Sequence, residues 1–470
     1  MNVVILGLSP MELTALVTGV VPVAARLLPY RVRRPVGLGC AAVFAVSAVV
    51  LAVTGIRWQL VPVLAGGALA LALTVPPLLR QRAGRPARWA GRLGAAAALA
   101  LSCAGAVAAW ALPVPVFPEP PGSYAVGTTV TQWTDGDRPE TATADAGDRR
   151  TVVVQLWYPA SGANRPTGRA RYLGRTEREA RTVARGLAGY FGMPGFLLDQ
   201  VPLAVTRSTP GAPAAGGRFP VVLFSPGLGG VRTQNTAWAE DLASRGYVVA
   251  ALDHPYDSAV VTLDDGRVIR TRLAATGDPA EDERRAAAWT AVRAADLRFA
   301  LTQLGRLDRG ELPGPLAGRL DTRRAAVTGH SLGGAAALQA ARQDHRFAAV
   351  IDVDGFPRDP APRPFHQPVL ALVHDVEPGQ EREYVDRLTR VIRLSTATGY
   401  RLTVPGSAHL TFTDAPLYLP PLPALAGSRG REDGPRVTAA ATAAFLDATL
   451  RGAPGDPAST LSAYGELAVL

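Results

Sequence analysis

Lysine is absent from this chain of 470 residues, so all 49 basic side chains are arginine. A phosphate-cradling loop that depends on a P-loop lysine is excluded with it. Cysteine is scarce as well. Cys40 and Cys103 are the two that occur, and both fall inside long apolar runs, which leaves the chain beyond residue 117 without a disulfide or a cysteine-based metal site. Acids are lacking in one region. Residues 1–117 hold ten arginines against Glu12 alone, whereas residues 118–470 hold 39 arginines against 38 acids. The net charge of +10 therefore belongs almost wholly to the first 117 residues. A nucleic-acid module would carry such charge on one folded face among aromatics; here it flanks apolar runs. The Ala, Arg, Gly and Pro bias is read as codon usage. With 48% hydrophobic residues the chain is neither disordered nor a small stapled module, and its length allows up to three domains.

Four runs, 8–28, 35–55, 60–79 and 93–113, reach the length of about 20 apolar residues that a bilayer span requires. A cleaved signal peptide would open on positive charge and end after one short run. Residues 1–10 carry no positive charge and further runs follow, so a retained anchor of about four spans is expected. Buried helices of a soluble domain would need polar faces that these runs hardly have. Arg31, Arg33 and Arg34 lie between the first two runs and five arginines from Arg80 to Arg92 between the last two, while Arg57 stands alone between the middle pair. Short cytoplasmic loops collect positive charge, which predicts a multi-pass cell-membrane protein with both its N-terminus and residues 118–470 on the extracytoplasmic side. The stretch PVPVFPEPPG at 113–122 suits a stiff linker, and the boundary is placed at 117.

Beyond it, short β-rich runs at 151–160, 219–225, 246–254, 324–329, 347–354, 368–375 and 401–407 alternate with helical stretches at 234–244, 284–305, 334–342, 380–391 and 436–450. Continuously apolar strands separated by helices predict an α/β domain with a mostly parallel sheet covered on both faces. Ligands of such sheets sit at the carboxyl ends of the strands. There the sequence places Gly329-His330-Ser331-Leu332-Gly333-Gly334, between an apolar strand and an Ala-rich helix, the context of a G-x-S-x-G nucleophile elbow. A serine needs a base to take its proton. With the order Ser, acid, His, the available histidines are His366, His374 and His409. His366 precedes its strand, His374 ends one, and His409 lies in a loop after the last run, which favours His409 over His374. Asp352, Asp354 and Asp375 all stand at strand ends as candidate acids, Asp354 being preferred because Gly355 lets the strand turn away after it. The oxyanion hole would combine the Leu332 amide with one from the glycine-rich Ser225-Pro226-Gly227-Leu228-Gly229-Gly230 loop, assigned to Leu228.

FSPGLGGVRT (224–233), DLASRGYVVAALDHPYDSA (241–259), GHSLGG (329–334), RFAAVIDVDGFP (346–357) and PGSAHLTF (405–412) occur in the order seen in the platelet-activating-factor acetylhydrolase family. The chain resembles its plasma/isoform II type, as a bacterial member with an N-terminal membrane anchor. The resemblance implies an α/β-hydrolase fold after an all-α transmembrane region, and calcium-independent cleavage of short or oxidised sn-2 acyl chains from phospholipids, with no cofactor and no metal. It implies Ser331 as nucleophile, Asp354 as acid, His409 as base, and Leu228 and Leu332 as oxyanion donors. Pro226 stands where the animal enzymes have histidine. A general carboxylesterase, an acyltransferase on the same triad, and a membrane sensor or scaffold with a non-catalytic hydrolase domain are the competing readings. The expected partners are a lipid or small ester and the membrane, not nucleic acid. The stretch 170–205 reads as an amphipathic lid, a membrane-touching helix or a helix packed on the sheet, and 415–427 as an acyl-pocket wall or a plain Pro-rich loop.

Overall fold

Among the described residues, ten strands of the chain join one sheet, and its centre is the apolar runs seen in the sequence. The computed structural model describes residues 7–79, 88–162, 168–273, 276–376 and 382–470. It divides into two units, Met1–Val114 with Phe196–Gln200, and Pro115–Gly195 with Val201–Leu470.

The first unit is helical: α1 (Pro10–Ala24), α2 (Tyr30–Thr54), α3 (Leu60–Leu79) and α4 (Arg88–Ala111). With the 3₁₀ turn that extends α1, each is long and apolar enough to cross a membrane. Small residues let α1 and α3 approach closely; a Cβ on Gly19 would lie 2.9 Å from the Gly67 Cα. Ser9 caps α1 reciprocally with Glu12. The Glu12 carboxylate also receives Arg57 Nε at 2.8 Å and Nη2 at 2.6 Å, so the single acid of this region neutralises the single arginine between α2 and α3. Arg80, Arg82 and Arg85 lie outside the described residues.

In the second unit the strands are β1 (Ala125–Pro139), β2 (Arg149–Ala160), β3 (Thr209–Pro210), β4 (Phe219–Ser225), β5 (Val248–Asp253), β6 (Val260–Thr262), β7 (Val268–Arg270), β8 (Leu320–His330), β9 (Phe347–Val353), β10 (Val369–Val373), β11 (Gly399–Thr403) and β12 (Glu466–Val469). Strands β6 and β7 form a separate hairpin, and the sheet order is β12-β11-β10-β9-β8-β4-β5-β2-β1-β3. From β11 to β5 all neighbours are parallel, whereas β12 at one end and β2 with β1 at the other are antiparallel. Among the described residues, the α-helices of this unit are α5 (Glu177–Tyr190), α6 (Thr236–Ser244), α7 (Pro279–Asp308), α8 (Leu332–Gln343), α9 (Arg382–Ile392), α10 (Pro423–Ala426), α11 (Asp433–Arg451) and α12 (Pro457–Leu461).

Alternation along β4 shows why both faces must be covered. Val221 and Leu223 join a core with α7, α8 and α9, while Val222 and Phe224 join another with α6 and α11. Every residue of β4, β5 and β10 is buried. The predicted helix at 284–305 is longer, starting at Pro279 behind an Asp278 cap. Residues 380 and 381 of the predicted 380–391 helix lie outside the described residues. Within the 170–205 stretch, α5 buries Ala180, Val183, Ala184, Leu187 and Ala188, and its Gly186 leaves no room for a Cβ against Val260 of the separate β6–β7 hairpin rather than the ten-stranded sheet, while Phe191, Leu203 and Val205 stay exposed.

Candidate active site

Strand β8 ends at His330 and α8 begins at Leu332, so Ser331 occupies the corner between them with φ +56° and ψ −122°. The corner is possible only because its neighbours lack side chains. A Cβ on Gly333 would lie 2.0 Å from the Ser225 carbonyl oxygen, and one on Gly329 would lie 2.2 Å from the Gly333 carbonyl carbon. The Ser331 N–H bonds to the Val353 carbonyl at 2.9 Å, tying the corner to the end of β9. As a first-turn residue of α8, Leu332 has an amide with no intrahelical acceptor.

Strand β4 brings up the glycine-rich loop beside this corner. A Cβ on Gly227 would sit 3.5 Å from the Ser331 Cβ. The Gly227 N–H donates to Gln234 Oε1 at 3.0 Å, while among the described residues no hydrogen bond takes up the Leu228 amide. Gln234 continues the chain: its Nε2 donates to His330 Nδ1 at 2.9 Å, and His330 Nε2 donates to the His409 carbonyl at 2.9 Å. Those roles require a neutral His330. Burial, with the adjacent His409 second, lowers its pKa to about 3.

His409 thus lies against the corner, its ring 4.5 Å from that of His330. Its loop is anchored from behind, because the Asp414 carboxylate accepts the Thr236 and Ala237 amides at the start of α6, and Asn235 Nδ2 donates to the Phe412 carbonyl. His409 Nδ1 donates to Asp354 Oδ2 at 2.6 Å. Asp354 follows β9 with φ +56° and is itself buried, while the His409 side chain is about half exposed.

The Asp354 carboxylate has further donors: the His374 amide at 3.0 Å, His374 Nδ1 at 2.9 Å from each oxygen, and the Tyr384 hydroxyl at 3.0 Å. Burial alone would raise its pKa. The bonds from His374 and His409 outweigh burial and hold the carboxyl well below the ordinary range. Asp354, His374 and His409 keep their ligand atoms within 4.8 Å of one another, a donor set also suited to a transition metal. At 2.6 Å, however, the Asp354 and His409 atoms stand at hydrogen-bond distance; two ligands of one tetrahedral ion with bonds of about 2.0–2.1 Å would stand farther apart.

The rival acids go elsewhere. Asp352, two residues earlier, turns beneath the corner, where its Oδ1 blocks any Cβ on Gly334 or Gly355. Burial first, and the Asp354 charge second, push its carboxyl well above the usual range. Asp375 braces the loop before His409 by accepting the Gly406 amide at 2.7 Å. His366 stacks on His345 at 4.8 Å, in the loop ahead of β10.

The structure therefore gathers Ser331, Leu332, Leu228, Asp354 and His409, and adds His374, Tyr384, Gln234 and His330. Sequence reading weighed His374 as an alternative base; its place on the same carboxylate was not foreseen. No spacing signal pointed to Gln234 or Tyr384, and His330 was seen only as a filler of the elbow motif. Chemically, a corner serine near an imidazole backed by an ionised carboxylate, with two free amides, suits nucleophilic attack on a carbonyl.

A family model for platelet-activating factor acetylhydrolase, isoform II, matches residues 113–279 and 313–451. A probable 1-alkyl-2-acetylglycerophosphocholine esterase of Arthroderma benhamiae is 32% identical over 137 residues, covering 29% of this chain and 31% of the relative. The platelet-activating factor acetylhydrolase of Cavia porcellus is 31% identical over 224 residues, covering 44% and 50%. The chain thus spans between about a third and a half of these curated relatives. The solved structure of a ferulic acid esterase from Streptomyces cinnamoneus superposes with a TM-score of 0.60 at 31% identity, over 75% of this chain and 98% of that one.

Proposed function

The chain belongs to the isoform II family of platelet-activating factor acetylhydrolases, and from that premise we propose that it is a membrane-anchored serine esterase cleaving short acyl esters of phospholipids or related lipids. The observation that carries this reading is the Asp354–His409 pair set against the corner that bears Ser331. The esterase names of the relatives and of the structural neighbour support the same reaction class.

In this reading His409 Nε2 takes the Ser331 proton as Oγ attacks the ester carbonyl. Asp354 keeps the Nδ1 proton on the far side of the ring and stabilises the imidazolium. The Leu228 and Leu332 amides receive the oxyanion, His409 returns the proton to the leaving alcohol, and water repeats the sequence on the acyl-enzyme. Residues 1–117 are the anchor and 118–470 the catalytic domain, on the extracytoplasmic side. The arginine count supports that orientation, with Arg57 alone between α2 and α3 against Arg31, Arg33 and Arg34 around the start of α2, since short cytoplasmic loops collect arginine and lysine.

The test uses the full chain in detergent, wild type beside Ser331→Ala, on p-nitrophenyl esters of graded length and on a phospholipid with a short sn-2 acyl group. Ser331-dependent cleavage of both is expected. Cleavage of simple esters alone would reduce the reading to a general carboxylesterase, and no cleavage with no fluorophosphonate labelling would leave a binding domain. Protease added to intact cells should reach residues 118–470; full protection would overturn the orientation.

A further inference from the structure

Arg293, on α7, is wholly buried, and among the described residues its hydrogen bonds go to neither Ser331, His409 nor Asp354. Its guanidinium has five N–H donors in a fixed plane, and each finds an acceptor. Nε and Nη2 bond to the two Asp257 oxygens at 2.5 Å. Nη1 donates to the Pro226 carbonyl and, at 3.3 Å, to Ser225 Oγ. The remaining Nη2 proton goes to the Gly227 carbonyl at 3.0 Å, which also accepts the Gly230 amide at 2.9 Å.

That last contact fixes more than a carbonyl. In a trans peptide the C=O and the following N–H point in opposite directions, so holding the Gly227 oxygen towards Arg293 aims the Leu228 N–H the other way. Glycines on both sides of Leu228 would otherwise let this peptide rotate cheaply. The far side of Gly227 is held too, by Gln234 on its amide.

Behind Arg293 lies a second Ser-His-Asp chain. Ser225 Oγ is 2.9 Å from His254 Nε2, and His254 Nδ1 is 2.8 Å from Asp296 Oδ2, which is also bound by Arg150. All three residues are fully buried, so no substrate reaches them. Because Ser225 accepts from Arg293, its own proton goes to His254, and the chain props the guanidinium.

We propose that Arg293, held by Asp257 and backed by Ser225, His254 and Asp296, is the positioning residue that presents the Leu228 amide to the oxyanion. The inference rests on the esterase reading and on Leu228 as a donor. It predicts a loss confined to the transition state.

The experiment compares full-length wild type, Ser331→Ala, Arg293→Lys and Arg293→Ala in detergent, the last with and without guanidinium, folding being checked by near-UV circular dichroism. The readouts are kcat and KM on p-nitrophenyl acetate, and inhibition by an alkyl trifluoromethyl ketone, whose adduct with Ser331 places an oxyanion in the hole. Expected for Arg293→Ala is a fall in kcat of about 10²–10³, the cost of losing one oxyanion donor, with KM nearly unchanged. Ketone affinity should fall in parallel, and guanidinium should restore part of the rate. A folded variant with wild-type kcat, a loss expressed in KM, or a lost rate with unchanged ketone affinity would each overturn the proposal. Activity surviving in Ser331→Ala would instead sink the esterase reading beneath it. If the Arg293 variants do not fold, Asp257→Asn takes their place: a lower kcat with weaker ketone binding is expected, and wild-type values for both overturn the clamp.

Discussion

Asp354 accepts two imidazoles, and their roles separate by experiment. His409→Ala should cost about 10⁵–10⁶ in kcat, as removal of a triad base does, and Asp354→Asn about 10⁴ through the wrong tautomer. His374→Ala removes one hydrogen bond to a charged acceptor that keeps others, so a loss of about tenfold is expected; a loss equal to that of His409→Ala would move the base to His374. The two aspartates around Val353 also carry opposite pH signatures. The folded-state pKa of Asp354 is depressed, so its stabilisation is present above the unfolded value of about 3.9 and is lost as the pH falls through the folded one. That of Asp352 is raised, so its contribution is complete below about 3.9 and is lost as the pH rises through the folded value. In thermal melts across pH, the Tm of Asp352→Asn minus that of wild type should grow more positive from about pH 4 upward. For Asp354→Asn the deficit should shrink as the pH drops below about 4. Parallel pH profiles for the two variants would contradict these assignments.

At the scale of elements, the corner between β8 and α8 is the least tolerant place in the fold. Gly333→Ala drives a methyl group into the Ser225 carbonyl, so a destabilisation of about 3 kcal/mol or more is expected by urea unfolding, beyond ordinary overpacking. A loss under about 1 kcal/mol would mean that the β4 loop can yield. Elements of this kind were legible in the sequence. The strands β4, β5, β9 and β10 are largely apolar runs because both faces are covered, as is β8 from Ala325 to Val327. The partly exposed start of β8, residues 321–324, is polar and gives no strand signal. Ser331 and His409 follow from strand ends and loop order. Strand β1 was not legible. Its AVGTTVTQWTDGDRP is polar, as suits a partly exposed strand near the sheet edge, and the four-residue β12 is too short to give a period. The choice between Asp352 and Asp354 was ambiguous for a physical reason. Period two puts both on one face, but β9 ends at Val353 and the positive φ of Asp354 turns its side chain towards His409. Arg293 and Gln234 reach the site from helix and loop far along the chain, where no local pattern marks them.

For the whole molecule, the unit of four apolar helices holds, among its described residues, the buried ion pair of Glu12 with Arg57. Glu12→Gln leaves the guanidinium unneutralised and should cost about 3–5 kcal/mol, read as a lower melting temperature of the detergent-solubilised chain. The double variant Glu12→Gln with Arg57→Met should recover most of it; an equal loss in both would mean that the pair is not what matters. Backbone geometry bears on the balance of the other unit. Among the described residues, four that are not glycine have positive φ, and two of them are Ser331 and Asp354. Such positions carry about 1–3 kcal/mol of strain each, released only when the chain unfolds. The corner that points the hydroxyl outward therefore works against the endurance of the fold, and Ser331→Gly, although inert, should outlast the working protein on heating.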